Sequence, residues 1–294
     1  MFGLPDAALV KAAFSKYQAA MAALSAPSTE PTVVIQTQLI ADIAAAFPHQ
    51  GMLGKRAAKR DPRNLRMARY VDMSTIPEPP AVVDNMRGIK NWGMMDNDKL
   101  GCSVIAGLGH AFQTAVLSHI DLGSPVGIIH PDDGTIISKY EQWCGYNPAD
   151  PNSDQGGVMG DVLNLLRASD FEGRKIKAYV SVDPTDLHMM QIVCWLFNGL
   201  YTGVQLPEAW QGEKVWDAVR GAGGSPGSWG GHCVWIPNSQ PGSKTPISWG
   251  GNYTITDAGF SYVDEVFALL MEDMIPPKGF DMDLLLNDLQ VVSA

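Results

Sequence analysis

The sequence has few cysteines, few basic residues and no long apolar run. The cysteines at positions 102, 144, 194 and 233 form neither a CxxC pair nor a zinc-finger spacing, so we expect free thiols in a reducing compartment. The sequence contains no run of about 18 apolar residues, so it predicts no membrane-spanning helix. The first residues lack the basic and apolar regions of a signal peptide, and the expected location is the cytoplasm of the producing cell.

The chain also has too little positive charge for a general binder of anions. It carries 21 Lys and Arg against 31 Asp and Glu, which gives a net charge of -10. Because nucleic acids and anionic membranes both attract positive faces, we expect neither as a partner. The length of 294 residues is enough to bury a sizeable core.

Motifs for metals and cofactors are missing as well. The glycine-rich stretch GAGGSPGSWGGH is followed by no Lys in a GKS or GKT context, so it predicts a flexible loop and no phosphate site. We expect no metal and no cofactor. The histidines that form no HExxH motif and no i,i+4 pair, and so predict no zinc site, are His49, His110, His119, His130 and His188.

One loop carries part of a calcium-binding pattern. The stretch DPNSDQGGVMGD places Asp150, Asn152, Asp154 and Asp161 at the first, third, fifth and twelfth positions of such a loop. However, Gln155 stands where the sharp turn requires Gly, and the last ligand is Asp where Glu is usual. The interpretation that we favour is a turn that caps the following helix, with calcium binding as the alternative.

Three regions follow one another along the chain. Residues 1–50 have helix-period apolar positions with a break at Ala26-Pro27, which predicts an N-terminal helical extension. Residues 51–83 are basic and Pro-rich, and they form either a linker that wraps the surface or an arm that docks on an acidic partner. We expect this N-terminal part to contact another chain or to wrap its own domain. Residues 84–294 form the main domain.

The main domain has helical patterns first and strand patterns later, which is typical of an α+β protein. Helices are predicted in SVIAGLGHAFQTAVLSHI, after the turn-rich stretch DPNSDQGG, and in TDLHMMQIVCWLFNG. The stretches with strand patterns are KIKAYVSV, LYTGVQL, GGHCVWIP, TPISWGG and NYTIT.

Two neighbouring residues at a predicted helix start carry candidate chemistry. Cys102 and Ser103 lie where a Gly-marked loop meets an apolar helix, and His232 lies on a Gly-flanked strand. Unpaired N–H groups at a helix N-terminus favour a thiolate, and a histidine could complete a nucleophile and base pair. A structural histidine on an apolar strand is the alternative.

The order of several short motifs resembles that of papain-like cysteine peptidases. The motifs are Asn97 with LGCSVIAG, Gly156-Gly157 in DQGGVMG, LFNGLYTGVQL, Gly230-Gly231-His232 and Ser248-Trp249-Gly250. The stretch TITDAGFSYVDEVFALLMEDM also looks like the closing strand and helix of papain-like proteins from phage and prophage genomes. The resemblance implies a papain-like fold, with Gly156, Gly157 and Trp249 lining a substrate cleft.

The resemblance also implies two departures from the catalytic pattern. The family nucleophile follows the Asn or Gln by six positions, which leads from Asn97 to Ser103 and leaves Cys102 one residue early. One residue turns a helix by about 100°, so Cys102 and Ser103 cannot both face His232. Ile247 stands where the family has the Asn that orients the histidine, and Ile cannot hydrogen-bond to the ring.

Two hypotheses about function follow. The first is a papain-like protein with lost or reduced peptidase activity, which acts as a structural or interaction component of a phage or prophage particle, with virion proteins or its own copies as partners. The second is an active hydrolase, a peptidase or amidase, that uses Ser103 or Cys102 with His232 and takes Asn97 as oxyanion donor. Under both hypotheses we expect Ser103 and His232 to lie within hydrogen-bond or single-water reach.

Overall fold

The structure is a computed structural model that describes residues 51–59, 61, 64–86, 89, 91–121 and 131–293. The described residues belong to one compact unit, Gly51–Ala294. The predicted helical extension over residues 1–50 lies outside the described residues, as do His49, His130 and the side chain of His119. The domain boundary at residue 84 stays a prediction.

Helices form at most of the predicted places. Asp132 caps α2 by accepting a hydrogen bond from the Thr135 N–H, and Gly145 ends it in a left-handed conformation. This α2 helix is missing from the sequence prediction, although its cap residues have the usual pattern. In the described part of the chain, no helix has the length and apolarity of a membrane span. The helices are α1 (Ser103–Asp121), α2 (Asp133–Cys144), α3 (Met159–Ala168), α4 (Leu187–Leu196) and α5 (Met282–Ser293).

The strands of the described residues form one nine-stranded sheet with the order β2-β9-β3-β5-β6-β8-β4, to which β1 adds beside β5 and β7 beside β6. Pairing is antiparallel except between β4 and β8, and the predicted strand stretches are confirmed. The strands are β1 (Val83–Asp84), β2 (Ile176–Val182), β3 (Leu200–Leu206), β4 (Val215–Trp216), β5 (Gly230–Gln240), β6 (Ser243–Ser248), β7 (Gly251–Asn252), β8 (Thr254–Thr256) and β9 (Val263–Met271).

Strand β5 separates two hydrophobic cores because its side chains alternate between the faces of the sheet. Cys233 and Trp235 lie in the core that contains α1, whereas Val234 and Ile236 lie in the core on the other face. The Trp235 Nε1–H donates to Thr114 Oγ1 on α1 at 2.9 Å. The helix is thereby fixed against the strand that carries His232.

The predicted closing helix is displaced towards the C-terminus. The stretch TITDAGFSYVDEVFALLMEDM contains β8 and β9, and the next helix is α5, which begins only at Met282. Residues 266–271 are all buried, and a short, continuous apolar run of this kind suits a buried strand as well as a helix. The prediction of a helix directly after this strand is therefore wrong.

Part of the basic, Pro-rich region packs on its own domain. Met67 and Tyr70 are buried in the core, and the Ser181 N–H donates to the Leu65 carbonyl at 2.8 Å. Near the C-terminus, the Asp281 N–H donates to the Tyr70 carbonyl at 2.8 Å. These contacts agree with the linker interpretation for residues 64–70.

The unpaired state of the four cysteines is confirmed.

Removal of one buried hydroxyl tests the contact between α1 and the sheet. The Tyr201 hydroxyl on β3 donates to the Val104 carbonyl at 2.6 Å, inside the core. Tyr201→Phe should lower the free energy of unfolding in urea by about 1–2 kcal/mol, because the carbonyl loses a buried partner. The matched control is Tyr179→Phe, whose hydroxyl bonds to Asn164 at the surface and whose loss should cost under about 0.5 kcal/mol. Equal losses would contradict this account.

Candidate functional site

Ser103 lies at the start of α1, against the strand that carries the candidate histidine. It is the first residue of the helix, and its side chain is fully buried. The Ser103 Oγ accepts a hydrogen bond from the backbone N–H of Cys233 at 3.2 Å. The structure thus places Ser103 beside the residue that follows His232, as the resemblance implies.

His232 is enclosed completely, and one of its ring nitrogens is paired. Its Nε2 lies 2.6 Å from Ser248 Oγ, and its ring stacks on Trp249 with centroids 4.3 Å apart. Burial lowers the pKa of His232 to about 3, because water cannot hydrate a positive charge on the enclosed ring. The imidazole is therefore neutral at neutral pH.

Ser248 occupies the orienting role that the sequence pattern assigns to position 247. Ile247 is fully buried and pairs across the sheet with Trp235. The next residue along β6 points to the opposite face, so the Ser248 hydroxyl reaches the ring of His232. Sequence reasoning missed this partner, although the SWG motif contains it and the strand alternation could have indicated it.

The candidate nucleophile and base make no direct hydrogen bond. Among the described residues, none is hydrogen-bonded to His232 Nδ1, which is buried. The bond from Cys233 to Ser103 Oγ uses a lone pair of the hydroxyl and leaves its proton without a base. A direct hydrogen bond between the pair is therefore absent, and the single-water reach expected for Ser103 and His232 stays a prediction.

Cys102, the residue directly before α1, is enclosed by the core, and its thiol is not acidified. Its side chain is fully buried, and its Sγ lies 3.5 Å from the Met95 carbonyl oxygen. Burial raises the pKa of the Cys102 thiol far above its usual value, and the carboxylates of Asp96 and Asp154 raise it further. At Cys102 desolvation thus outweighs the effect of the helix terminus, and its role as the alternative nucleophile stays a prediction.

The amide of Asn97 is already engaged by the chain itself. Its Nδ2 donates to the Met52 carbonyl at 3.2 Å and to the Leu100 carbonyl at 3.0 Å. The backbone carbonyl of Asn97 in turn accepts a hydrogen bond from the Met52 N–H at 2.9 Å. The candidate oxyanion donor therefore holds a backbone carbonyl of residue 52.

Residues 51–56, here called the groove segment, run across the candidate cleft. The Gly157 N–H donates to the Gly54 carbonyl at 2.8 Å, and the Arg56 N–H donates to the Gly157 carbonyl at 2.8 Å. From the other side, the Gly231 carbonyl accepts from the Lys55 N–H at 3.1 Å. The predicted cleft residues Gly156 and Gly157 thus contact this chain's own backbone.

Glycines make this close approach possible. A Cβ on Gly54 would lie 1.8 Å from the Gly101 carbonyl oxygen, and a Cβ on Gly156 would lie 2.2 Å from the Gly54 oxygen. Real Cβ contacts are never this short, so a side chain at either position would force the backbones apart. Gly156 also has a φ of +72°, which other residues adopt only with strain.

Trp249 closes the remaining side of the site. Its Nε1–H donates to the Met52 carbonyl at 3.2 Å, and its ring covers His232. A Cβ on Gly51 would lie 1.9 Å from that Nε1 atom, so Gly51 packs directly on the indole. The indole that stacks on His232 is thus held in place by the groove segment.

The loop with the partial calcium pattern uses its carboxylates for structure. Asp154 accepts a hydrogen bond from the Gly101 N–H at 3.0 Å and another from the Tyr140 hydroxyl at 2.6 Å. Asp150 caps a short 3-10 turn at Pro151–Ser153, and Asp161 pairs with Lys59. Among the described residues, no group of three or more acidic, His or Cys side chains could hold a metal ion. These contacts fit a turn, but the expected cap on the following helix is wrong, because the N-cap residue of α3 is Val158 and no side chain caps it.

The enclosure of His232 predicts a pH dependence of stability. Between pH 6.5, the usual histidine value, and about 3, the unfolded chain binds a proton that folded His232 does not. The free energy of unfolding should therefore fall as the pH falls through this range, and His232→Gln should reduce the slope by about one proton. Urea unfolding between pH 4 and 7 measures this slope. The exposed His188 gives the control His188→Gln, and an unchanged slope in His232→Gln would contradict the assignment.

Comparison with known structures places the fold. No protein-family model and no curated protein matches the chain. The chain is similar to xylellain, a cysteine protease from Xylella fastidiosa, with a TM-score of 0.58 and 14% identity over 75% of this chain and 96% of that chain. Procathepsin B S9 from Trypanosoma congolense matches with a TM-score of 0.48 and 12% identity over 75% of this chain and 87% of that one. The similarity to xylellain shows that the chain has the α+β fold of papain-like cysteine proteases.

Proposed function

We propose that this protein is a papain-fold protein without peptidase turnover that acts as a structural or interaction component. The observation that carries the proposal is the state of Ser103 at the nucleophile position. Its hydroxyl is buried and bonded to the Cys233 N–H, with no hydrogen bond to His232. A hydroxyl must lose its proton during attack, so it depends on an aligned base more than a thiol does.

The electrostatics of the pair support the proposal. A histidine with a pKa of about 3 is a weak proton acceptor, whereas an effective general base has a pKa near the working pH. A thiolate that forms an ion pair with an imidazolium needs a charge-tolerant site. The enclosed surroundings of Ser103, Cys102 and His232 disfavour both charges.

Occupation of the cleft also supports the proposal. The groups that would bind a peptide, which are Asn97, Gly157 and Gly231, are hydrogen-bonded to the groove segment. A peptide substrate would have to displace these contacts before it reached Ser103. We propose protein partners for such a component, either further copies of this chain or proteins of a phage or prophage particle. The particle assignment depends on the sequence resemblance in the C-terminal part.

A second candidate function is an active hydrolase that the groove segment keeps closed. One observation favours it, because the Ser248 hydroxyl orients His232 through Nε2 and leaves Nδ1 unbonded. A histidine held in this way could act as a base towards Ser103 once the groove opens. The two candidates differ in what an opened groove should do.

Substitution of Gly54 opens the groove and separates the two candidates. Because a Cβ there would lie 1.8 Å from the Gly101 oxygen, Gly54→Ala should expel the groove segment. We expect no hydrolysis of a fluorogenic peptide library by the wild-type protein or by Gly54→Ala. The control is Gly160→Ala, whose Cβ would meet nothing within 4 Å. Turnover in Gly54→Ala that is lost on His232→Ala would reject the proposal in favour of the hydrolase.

A thiol at position 103 reports on the same enclosure. Ser103→Cys alone should stay unreactive towards iodoacetamide, because residue 103 is fully buried. In the Gly54→Ala background, Cys at position 103 should be alkylated at neutral pH, and His232→Ala should slow this reaction. Peptide mapping by mass spectrometry locates the label, and the native Cys102 is the internal control. Rapid labelling of Cys102 in the wild-type protein would instead identify Cys102 as the nucleophile.

A further inference from the structure

Lys55, in the middle of the groove segment, inserts its side chain into an acidic pocket. The side chain is 0% exposed, although the neighbouring Met52 and Arg56 side chains are exposed. Its Nζ lies 2.8 Å from Asp264 Oδ2 and 3.1 Å from Glu265 Oε1, and it donates to the Arg56 carbonyl at 3.3 Å. A buried ammonium is stable only when carboxylates and acceptors surround it in this way.

The sheet makes room for this side chain with a glycine. Gly203 lies in the interior of β3 and pairs with Cys233 on one side and Glu265 on the other. A Cβ on Gly203 would lie 2.2 Å from Lys55 Cε. Glycine weakens the interior of a strand and often marks a close approach, and here the space that it leaves holds a lysine stem.

The charges of the pocket favour a cation. Burial raises the pKa of Glu265 above its usual value, and the charge of Lys55 offsets only part of this rise. The carboxylate therefore depends on a positive partner. The pKa of Lys55 is raised in spite of its burial, through Glu265 and Asp264. Asp264 is fixed in turn by the Gln205 side-chain amide at 2.7 Å. The pocket is thus arranged for one ammonium group.

We propose that the groove recognises an extended peptide from a partner protein that contains a glycine followed by a lysine, and that residues 51–56 occupy the site until such a peptide replaces them. Every described hydrogen bond from Asn97, Gly157, Gly231 and Trp249 to the segment goes to its backbone, and any extended chain offers these groups. Side chains are restricted most clearly at three positions, and at the first of them the Trp249 indole leaves no room for a Cβ on Gly51. The Gly101 carbonyl requires glycine at the position of Gly54, and the acidic pocket requires lysine at the position of Lys55.

The proposal deepens the interaction role proposed above and depends on it for one point, namely that the peptide is bound and not cleaved. The tethered segment competes at a high effective concentration, so the wild-type protein should bind a free peptide weakly. Displacement of the segment should expose the site. A peptide with the sequence GMLGKRAA, which matches residues 51–58, is therefore a suitable probe.

Fluorescence anisotropy with full-length Gly54→Ala tests the inference. The labelled peptide should bind, and replacement of its lysine by norleucine should weaken binding about 100-fold, because the buried carboxylates lose their cation. Replacement of the glycine that directly precedes this lysine by alanine should also abolish binding. The control Gly160→Ala should bind as weakly as the wild-type protein. Equal affinity for the lysine and norleucine peptides would overturn the inference.

A second variant tests the pocket without any change at Gly54. Lys55→Ala empties the pocket, and n-butylamine at pH 7 should raise its melting temperature, whereas n-butanol should not. The wild-type protein should respond to neither. Equal responses of Lys55→Ala to the amine and the alcohol, or no response to either, would overturn the lysine pocket.

Mass spectrometry of the peptide after incubation separates the two proposals. An intact peptide whose binding requires lysine supports both of them. A cleaved peptide whose binding requires lysine would overturn the proposed absence of turnover and leave the recognition of lysine standing.

Discussion

The structure depends on the close packing of the first turns of α1 against β3 and β5. The Tyr201 hydroxyl bonds to the Val104 carbonyl, and the Cys233 N–H bonds to Ser103 Oγ. Gly107 allows the contact, because a Cβ there would already lie 3.1 Å from the Tyr201 ring. A helix start and a histidine-bearing strand, far apart in sequence, meet through these contacts.

Burial decides the chemistry that the packing permits. The same enclosure lowers the pKa of His232 and raises that of Cys102, so both groups are neutral where a protease would use charges. The exception is Lys55, which keeps its charge inside the protein because Asp264 and Glu265 accompany it. The charged groups of this cleft therefore lie at the lysine pocket, whereas the candidate catalytic groups are neutral.

The sequence was sufficient for the fold, because the fold depends on local patterns and on the order of short motifs. At the site, the structure shows His232 stacked on Trp249 and Ser103 bonded to the residue that follows His232. The role of Ser248 was missed because a motif aligned by position assigns the orienting role to residue 247, whereas strand alternation decides which side chain faces the ring. The location of residues 51–56 could not be read from the sequence, since basic and Gly-rich stretches are equally typical of linkers. Only the distances in the folded chain connect Lys55 with Asp264 and Glu265.

The pairing between the groove segment and the Gly156-Gly157 loop is parallel, with Lys55 opposite Gly157. In this parallel pairing, the N–H and the carbonyl of Gly157 form hydrogen bonds with the two residues that flank Lys55. In an antiparallel pairing, both would bond to the N–H and carbonyl of a single residue. A peptide that entered in the opposite direction would therefore present its side chains to the acidic pocket in a different register. For the partner peptide proposed above, chain polarity is therefore part of what the groove would recognise.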